Sequence, residues 1–155
     1  MAVFTSAGTT FAISDDIPAT FNQAGYENVG VVYSAVGEIT DLGEFGREYA
    51  LVTHNPVGNR STQKFKGSFN EGTMNLSLAL DTDDAGQILM KLASTTDANY
   101  TCRVTTQSGD KYYFQAKVMS WKVGVGSVDQ ITTATATLEI TTSSTGVGIV
   151  EVLAA

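Results

Sequence analysis

Leu80-Asp-Thr-Asp-Asp-Ala-Gly-Gln-Ile-Leu-Met-Lys-Leu-Ala-Ser-Thr95 is the stretch on which the fold turns. Ala85, Ile88, Leu89, Leu92 and Ala93 recur at i, i+3, i+4, i+7 and i+8, which predicts one apolar stripe on one long helix. Asp81 or Thr82 is placed to cap its start. Asp83 and Asp84 sit where the helix dipole favours negative charge, and Lys91 lies toward the end that favours a cation. Gly86 costs about 1 kcal/mol of helix propensity relative to Ala, so its presence predicts close packing against a neighbour. Nearly everything on either side reads as strand. A lone amphipathic helix then has only a sheet to bury its stripe against. The expected architecture is mainly β, a β-sandwich or half-barrel with one flanking α-helix.

Working outward, Thr73 to Leu80 alternates cleanly, with Met74, Leu76, Leu78 and Leu80 facing in and Asn75 and Ser77 facing out. With Thr62 to Ser68 it predicts a hairpin across Asn70-Glu-Gly72. Downstream, Tyr100 to Thr106 alternates and turns at Ser108-Gly109-Asp110 into Lys111 to Val123. There Tyr112, Phe114, Ala116 and Val118 share one face, and Tyr113, Gln115, Lys117, Met119 and Trp121 the other. The longest strand is Gln130 to Thr142. Its Ala134, Ala136, Leu138 and Ile140 oppose Thr133, Thr135, Thr137, Glu139 and Thr141, a ladder of β-branched hydroxyls suited to a wet face. Upstream, Val29 to Val36 predicts a strand with Val29, Val31, Tyr33 and Ala35 on one face, and Arg47 to Thr53 another with Tyr49 and Leu51 together. Between them, Asp41-Leu-Gly43 and Glu44-Phe-Gly46 are turn-like.

The chain reads as a single domain over 1–155 with three irregular parts. Residues 1–28 hold a short strand at Thr9 to Ser14, a break at Ile17-Pro18-Ala19-Thr20 and a helical turn at Thr20 to Tyr26; they suit an arm or a β-edge equally. The polar loop His54, Asn55, Pro56, Val57, Gly58, Asn59, Arg60, Ser61 and Thr62 offers little to a core, and loops of this length are usually functional or mobile. The tail 143–155 ends in the apolar run Ile149-Val150-Glu-Val-Leu153, a last strand or a docking segment.

The 155 residues suffice for a real core. Charged residues make up only 16 % of the chain, against a typical ~25 %, and Thr, Ser, Asn and Gln supply the polarity instead. Weakly charged polar β-structure of this kind suits assembly. A net charge of −7 argues against a protein that grips nucleic acid, though not against one that nucleic acid slides past. Cys102 is the single cysteine, which excludes an intrachain disulfide and makes thiol-metal sites improbable. The start lacks the basic region and apolar run of a signal peptide, and no stretch approaches the ~20 apolar residues of a membrane helix. Synthesis and folding in a cytoplasm are expected.

Catalytic constellations are missing. His54 is the only histidine and has no nucleophile motif near it. Asp81, Asp83 and Asp84 lack calcium-loop spacing and its closing Glu. Gly124-Val-Gly126-Ser precedes a strand, whereas a phosphate loop opens a helix. Cys102 alternates into the core face as an inert thiol. No catalytic, cofactor-binding or metal site is expected. Trp121 and Tyr113, placed together on the wetter face, suit stacking on a sugar or base, or a subunit interface.

Several motifs carry a resemblance. Val36-Gly-Glu-Ile-Thr-Asp-Leu-Gly43, Leu51-Val-Thr-His-Asn-Pro56, Lys64-Phe-Lys-Gly67 and Asp83-Asp-Ala-Gly-Gln87 resemble the major tail tube proteins of long, non-contractile-tailed bacteriophages. So do Tyr113-Phe-Gln-Ala-Lys-Val-Met-Ser-Trp121, Gly126-Ser-Val-Asp-Gln-Ile-Thr132 and Ala136-Thr-Leu-Glu-Ile140. Together they cover about Gly30 to Thr142; the first 28 residues and the tail after Ser143 match less. The resemblance implies a non-enzymatic virion protein with a tail tube fold, shared with the type VI secretion tube. Six copies would form a ring, rings would stack, and their sheets would join into one barrel through which the genome passes during ejection. Partners implied are identical subunits and the tape measure, tail tip and terminator proteins, with assembly in the host bacterial cytoplasm. Thr133, Thr135, Thr137, Glu139 and Thr141 are the candidate lumen lining, and the loop His54 to Thr62 the candidate inter-subunit element. At −7 per chain, a six-membered ring carries about −42, so contacts between rings must offset self-repulsion. A non-catalytic carbohydrate-binding sandwich, using Trp121 and Tyr113, and a type VI-like tube subunit are the alternatives.

Overall fold

The computed structural model describes residues 3–154; Met1, Ala2 and Ala155, the outer ends of the arm and tail segments, lie outside the described residues. Ten strands and two helices follow in the order β1 (Thr10–Ser14), α1 (Gln23–Tyr26), β2 (Ser34–Val36), β3 (Ile39–Asp41), β4 (Glu48–His54), β5 (Gln63–Asn70), β6 (Thr73–Ala79), α2 (Ala85–Ala93), β7 (Tyr100–Thr105), β8 (Lys111–Gly124), β9 (Thr133–Thr141) and β10 (Val150–Val152). The main sheet runs β2-β1-β7-β8-β9-β6-β3, with β10 paired to the start of β8. Its two outer strands, β2 and β3, are separated by only Gly37 and Glu38, so the sheet curls back toward itself without closing. Glu38 takes the turn at φ 60°, and its carbonyl accepts from Ala79 N at 2.8 Å.

Period-two alternation builds the core. Met74, Leu76 and Leu78 of β6 meet Leu138, Ala136 and Ala134 of β9 in register, all buried. Phe11 and Ile13, Cys102 and Val104, and Phe114, Ala116 and Val118 continue the same cluster around the curl. Residues 10–14 thus form a strand between β2 and β7, with Phe11 and Ile13 buried. The apolar end of the tail is likewise a strand, β10.

The helix is shorter than its sequence suggested and rotated about its axis. It spans Ala85–Ala93, because Asp84 is the N-cap: its carboxylate accepts from Gln87 N at 3.0 Å. Residues 80–84 form the turn that precedes it. The buried face is Gly86, Gln87, Met90 and Ala93, whereas Ile88 and Leu92 are 53 % and 55 % exposed and Leu89 only borders the core. Gly86 sets this orientation. A Cβ there would lie 2.2 Å from the carbonyl oxygen of Ala35, so only a glycine lets the helix sit this close to β2.

Three strand expectations are also corrected. The predicted strand Val29 to Val36 shrinks to Ser34–Val36; Val29 is 95 % exposed, and residues 15–33 instead wrap over the outer side of β1, β7 and β8. The hairpin across Asn70-Glu-Gly72 does not form. β5 pairs with β4 as a separate two-stranded sheet, and β6 enters the main sheet between β3 and β9. Glu71 explains the break: it is buried and paired with Arg47, so the chain turns from one sheet to the other at that residue. Trp121 and Tyr113 do not share a face. A bulge at Met119 shifts the register between Val118 and Ser120, which brings Trp121 opposite inward-facing Ala136. Tyr113 is buried on the opposite side, stacked on Tyr26 at 5.3 Å.

Candidate assembly surfaces

Three surfaces remain once the core is accounted for. The first is the polar face of the main sheet. Thr133, Thr135, Thr137, Glu139 and Thr141 of β9 all point away from the buried Ala134, Ala136, Leu138 and Ile140. Cross-strand register extends this face over β6 and β8. Asn75 and Ser120 flank Thr137, and Ser77 and Lys122 flank Thr135. Glu139 stands between Thr73 and Lys117; Thr73 Oγ1 lies 2.8 and 2.9 Å from its two oxygens. Thr137 Oγ1 donates to Asn75 Oδ1 at 3.1 Å. The patch is therefore a small-residue polar wall in which Lys117 sits opposite Glu139 and Lys122 opposite Thr135, with Lys117 Nζ donating to Asp97 O at 2.7 Å.

The second surface is the arm formed by β4 and β5. All of the loop His54, Asn55, Pro56, Val57, Gly58, Asn59, Arg60, Ser61 and Thr62 lies at its tip, exposed except for the half-buried Pro56. Hydrogen bonds within the tip are local: Asn59 N donates to Pro56 O, and Ser61 N to Asn59 Oδ1. The arm itself is the part sequence reasoning missed. Leu51, Val52, Phe65 and Tyr49 are all exposed, on strands that bury nothing in the main core. Sequence alternation does not reveal it: β5 sets Phe65, Gly67 and Phe69 against Lys64, Lys66 and Ser68, the same pattern as a strand with one covered face. Paired register puts Val52 against Phe65 on one side of the arm, and Leu51 against Lys66 on the other. A two-stranded hairpin is at best marginally stable alone, so exposed apolar residues on both faces mark a surface awaiting a partner.

The arm is fixed at its root. Arg47 Nη2 lies 2.8 Å from Glu71 Oε1, its Nε donates to the same oxygen at 2.9 Å, and its guanidinium covers the Phe69 ring at 3.9 Å. Gly148 makes room for the buried carboxylate, since a Cβ there would meet Glu71 at 2.4 Å.

The third surface lies at the other end of the sheet, where α2 meets the end of β8. Ile88, Trp121, Val123 and Leu80 line an apolar notch of about 220 Å³, with Asp81 and Lys91 at its edges. At the N-terminal end of α2, Asp84 Oδ2 accepts from Gly37 N at 3.1 Å. Gln87 donates to the carbonyls of Gly37 and Ala79 and accepts from Asp81 N, each at 3.0 Å. These bonds lock the helix to the gap between the outer strands. The Asp81, Asp83 and Asp84 run is accounted for in the same way, as turn and cap. Cys102 is fully buried, and burial pushes its thiol pKa far up. Among the described residues, no group of three or more His, Cys, Asp or Glu is placed to hold a metal ion.

No protein-family model matches the chain, and no curated protein sequence does. Solved structures do. The baseplate of the anti-feeding prophage (AFP), reconstructed with six-fold symmetry, aligns at a TM-score of 0.66 and 11 % identity over 91 % of this chain and 93 % of that one. The SPP1 tail tube aligns at 0.65 and 13 % identity over 94 % and 77 %. The tail of an empty GTA particle, refined helically with C6 symmetry, aligns at 0.60 and 9 % identity over 94 % and 96 %. At these identities the likeness is one of fold: the chain has the mainly β, unclosed-sheet fold found in phage tail tube and baseplate proteins.

Proposed function

We propose that this chain is a non-catalytic structural subunit of a tail tube of the long, non-contractile phage type, in which six copies close into a ring and rings stack in the virion tail. The observation that carries this reading is the pairing of two features on one domain. The curled sheet leaves a continuous polar wall uncovered, and the arm projects apolar side chains that nothing in the monomer covers. The fold likeness to SPP1, AFP and GTA tail structures supports it.

In this reading Thr133, Thr135, Thr137, Glu139 and Thr141 line the lumen. DNA is a dense negative rod, and a wall rich in lysine would hold it through counterion release. Hydroxyls, with Glu139 opposite Lys117, offset that attraction and leave a wall that DNA slides past. The loop His54 to Thr62 and the arm beneath it reach a neighbouring subunit. The tape measure, tail tip and terminator proteins are the further partners this role entails.

Sedimentation velocity across a wide concentration range tests the proposal. It predicts growth from monomer to rings and large assemblies, while a variant with the loop His54 to Thr62 replaced by a short Gly-Ser link stays folded and forms no tubes. A strictly monomeric wild type, or normal assembly by the shortened variant, would overturn the respective part.

A further inference from the structure

We propose that the apolar notch between α2 and the end of β8 is the receptor for the β4–β5 arm of a second copy of this chain, and that this contact joins successive rings. The inference rests on the tube reading above and adds to it the surface that receives the arm.

Position carries the first part. The arm leaves the sheet where β6 begins and β9 ends: Thr73 pairs with Glu139, and Glu48 and Tyr49 lie beside Ile140 to Thr142. The notch lies where β6 ends and β9 begins, beside the end of β8, since Ala79 pairs with Thr133 and Gly124 with the same Thr133. The six residue steps from Thr73 to Ala79 separate the two by about 20 Å along the strands. The arm, eight residues long on its β5 side, projects a further ~27 Å. Arm and notch thus occupy opposite ends of one domain. A contact between them is head-to-tail, leaves a free arm and a free notch after every addition, and propagates as an open stack.

Chemistry carries the second part. On one side of the arm, Leu51 is 67 % exposed and faces Lys66, with Lys64 opposite Thr53 next along. The notch offers an apolar floor of Ile88, Trp121 and Val123 for Leu51, with Asp81 and Lys91 balancing each other at its edges, so the charge attraction comes from the acidic body around it. The segment 48–70 holds Arg60, Lys64 and Lys66 against Glu48 alone, a net +2, so the rest of the chain stands at −9 within the total of −7. A basic arm approaching an acidic body is attracted, and that attraction opposes the self-repulsion of stacked acidic rings.

The test uses the full chain. Trp121 is the only tryptophan and lines the notch, so its emission reports occupancy. Wild type should shift to the blue as it assembles. Ile88→Arg, at an exposed position, and Lys64→Glu with Lys66→Glu should each stay folded by circular dichroism. Each should raise the concentration needed for pelletable assemblies by about tenfold or more, as loss of an interface anchor does. Leu51→Cys combined with Ile88→Cys should give an oxidised ladder of covalent multimers, absent from either single variant. Unchanged assembly in the charge variants, with no ladder from assembled double-cysteine protein, overturns the notch as receptor and leaves the tube reading standing. Failure of wild type to assemble at any concentration overturns both.

Discussion

Gly86→Ala sets two physical effects against each other. Helix propensity alone predicts that alanine stabilises α2 by about 1 kcal/mol. Packing predicts the reverse. The new Cβ would sit 2.2 Å from Ala35 O, 2.5 Å from Ala35 C and 2.7 Å from Val36 Cα, all backbone atoms that no rotamer change can move. Reaching an ordinary contact near 3.4 Å requires the helix and β2 to separate by about 1 Å. That movement strains the Gln87 bonds to Gly37 and Ala79 and the Asp84 bond to Gly37, and it loosens Met90 and Ala93 against the core. Overpacking of this kind costs about 1–3 kcal/mol. Weakened hydrogen bonds add roughly 1 kcal/mol each. The net expectation is a loss of about 3–5 kcal/mol, or a melting temperature lower by roughly 6–20 °C for a domain of this size. Urea and thermal unfolding of dilute monomer, followed by far-ultraviolet circular dichroism, measure it. Gly58→Ala, where a Cβ meets nothing within 4 Å, is the control. An alanine variant as stable as wild type would refute the close approach of α2 to β2.

Gln87→Leu keeps the side-chain volume but removes the partner of three half-buried backbone groups, and should lower stability by roughly 1–3 kcal/mol in urea titration. Burial raises the pKa of Tyr26, Tyr33 and Tyr113, the last to about 12, helped by the charge of Glu27 beside it. Their neutral forms are favoured in the folded state, so this stability is complete below pH ~10 and is lost as pH rises toward 12. The tyrosinate absorbance of these three should therefore appear only together with unfolding, and ionisation of all six tyrosines near pH 10 in a folded chain would contradict the buried cluster. Glu139→Lys would leave Lys117 and Lys122 joined by a third cation on the polar wall. Assembly should survive, and genome ejection should slow, most at 0.01 M salt, where the Debye length is about 30 Å against ~8 Å at 0.15 M.

Local alternation made the strands legible. Met74 to Leu78, Tyr100 to Val104 and Ala134 to Ile140 each showed period two and each is buried as read. The turn at Ser108-Gly109-Asp110 was equally plain, with Gly109 at φ 94°. What stayed hidden depended on contacts distant in sequence. Ile88 and Leu92 outweigh Gly86 and Gln87 in any hydrophobic count, yet a missing Cβ and three hydrogen bonds decide which side of the helix packs. A single bulge at Met119 reversed the side taken by Trp121, and alternation cannot foresee a bulge. The partner of β5 is not legible in the sequence, because a short polar turn at Asn70 to Gly72 looks the same in a hairpin and in a crossing between sheets. Only the buried Glu71, held by the exposed Arg47, separates the two. On the candidate surface, the polar ladder of β9 was visible in sequence, whereas Lys117 and Lys122 joined it through register alone.

The central claim is that this domain is built to repeat head-to-tail around a bore. Electron microscopy of concentrated, purified protein, with averaging of the particles, tests it most directly. Hollow rings or tubes with six-fold symmetry, arms bridging successive layers and the threonine face of β9 turned to the lumen are the predicted result. Isolated monomers at every concentration, or tubes with that face on their outer wall, would contradict it.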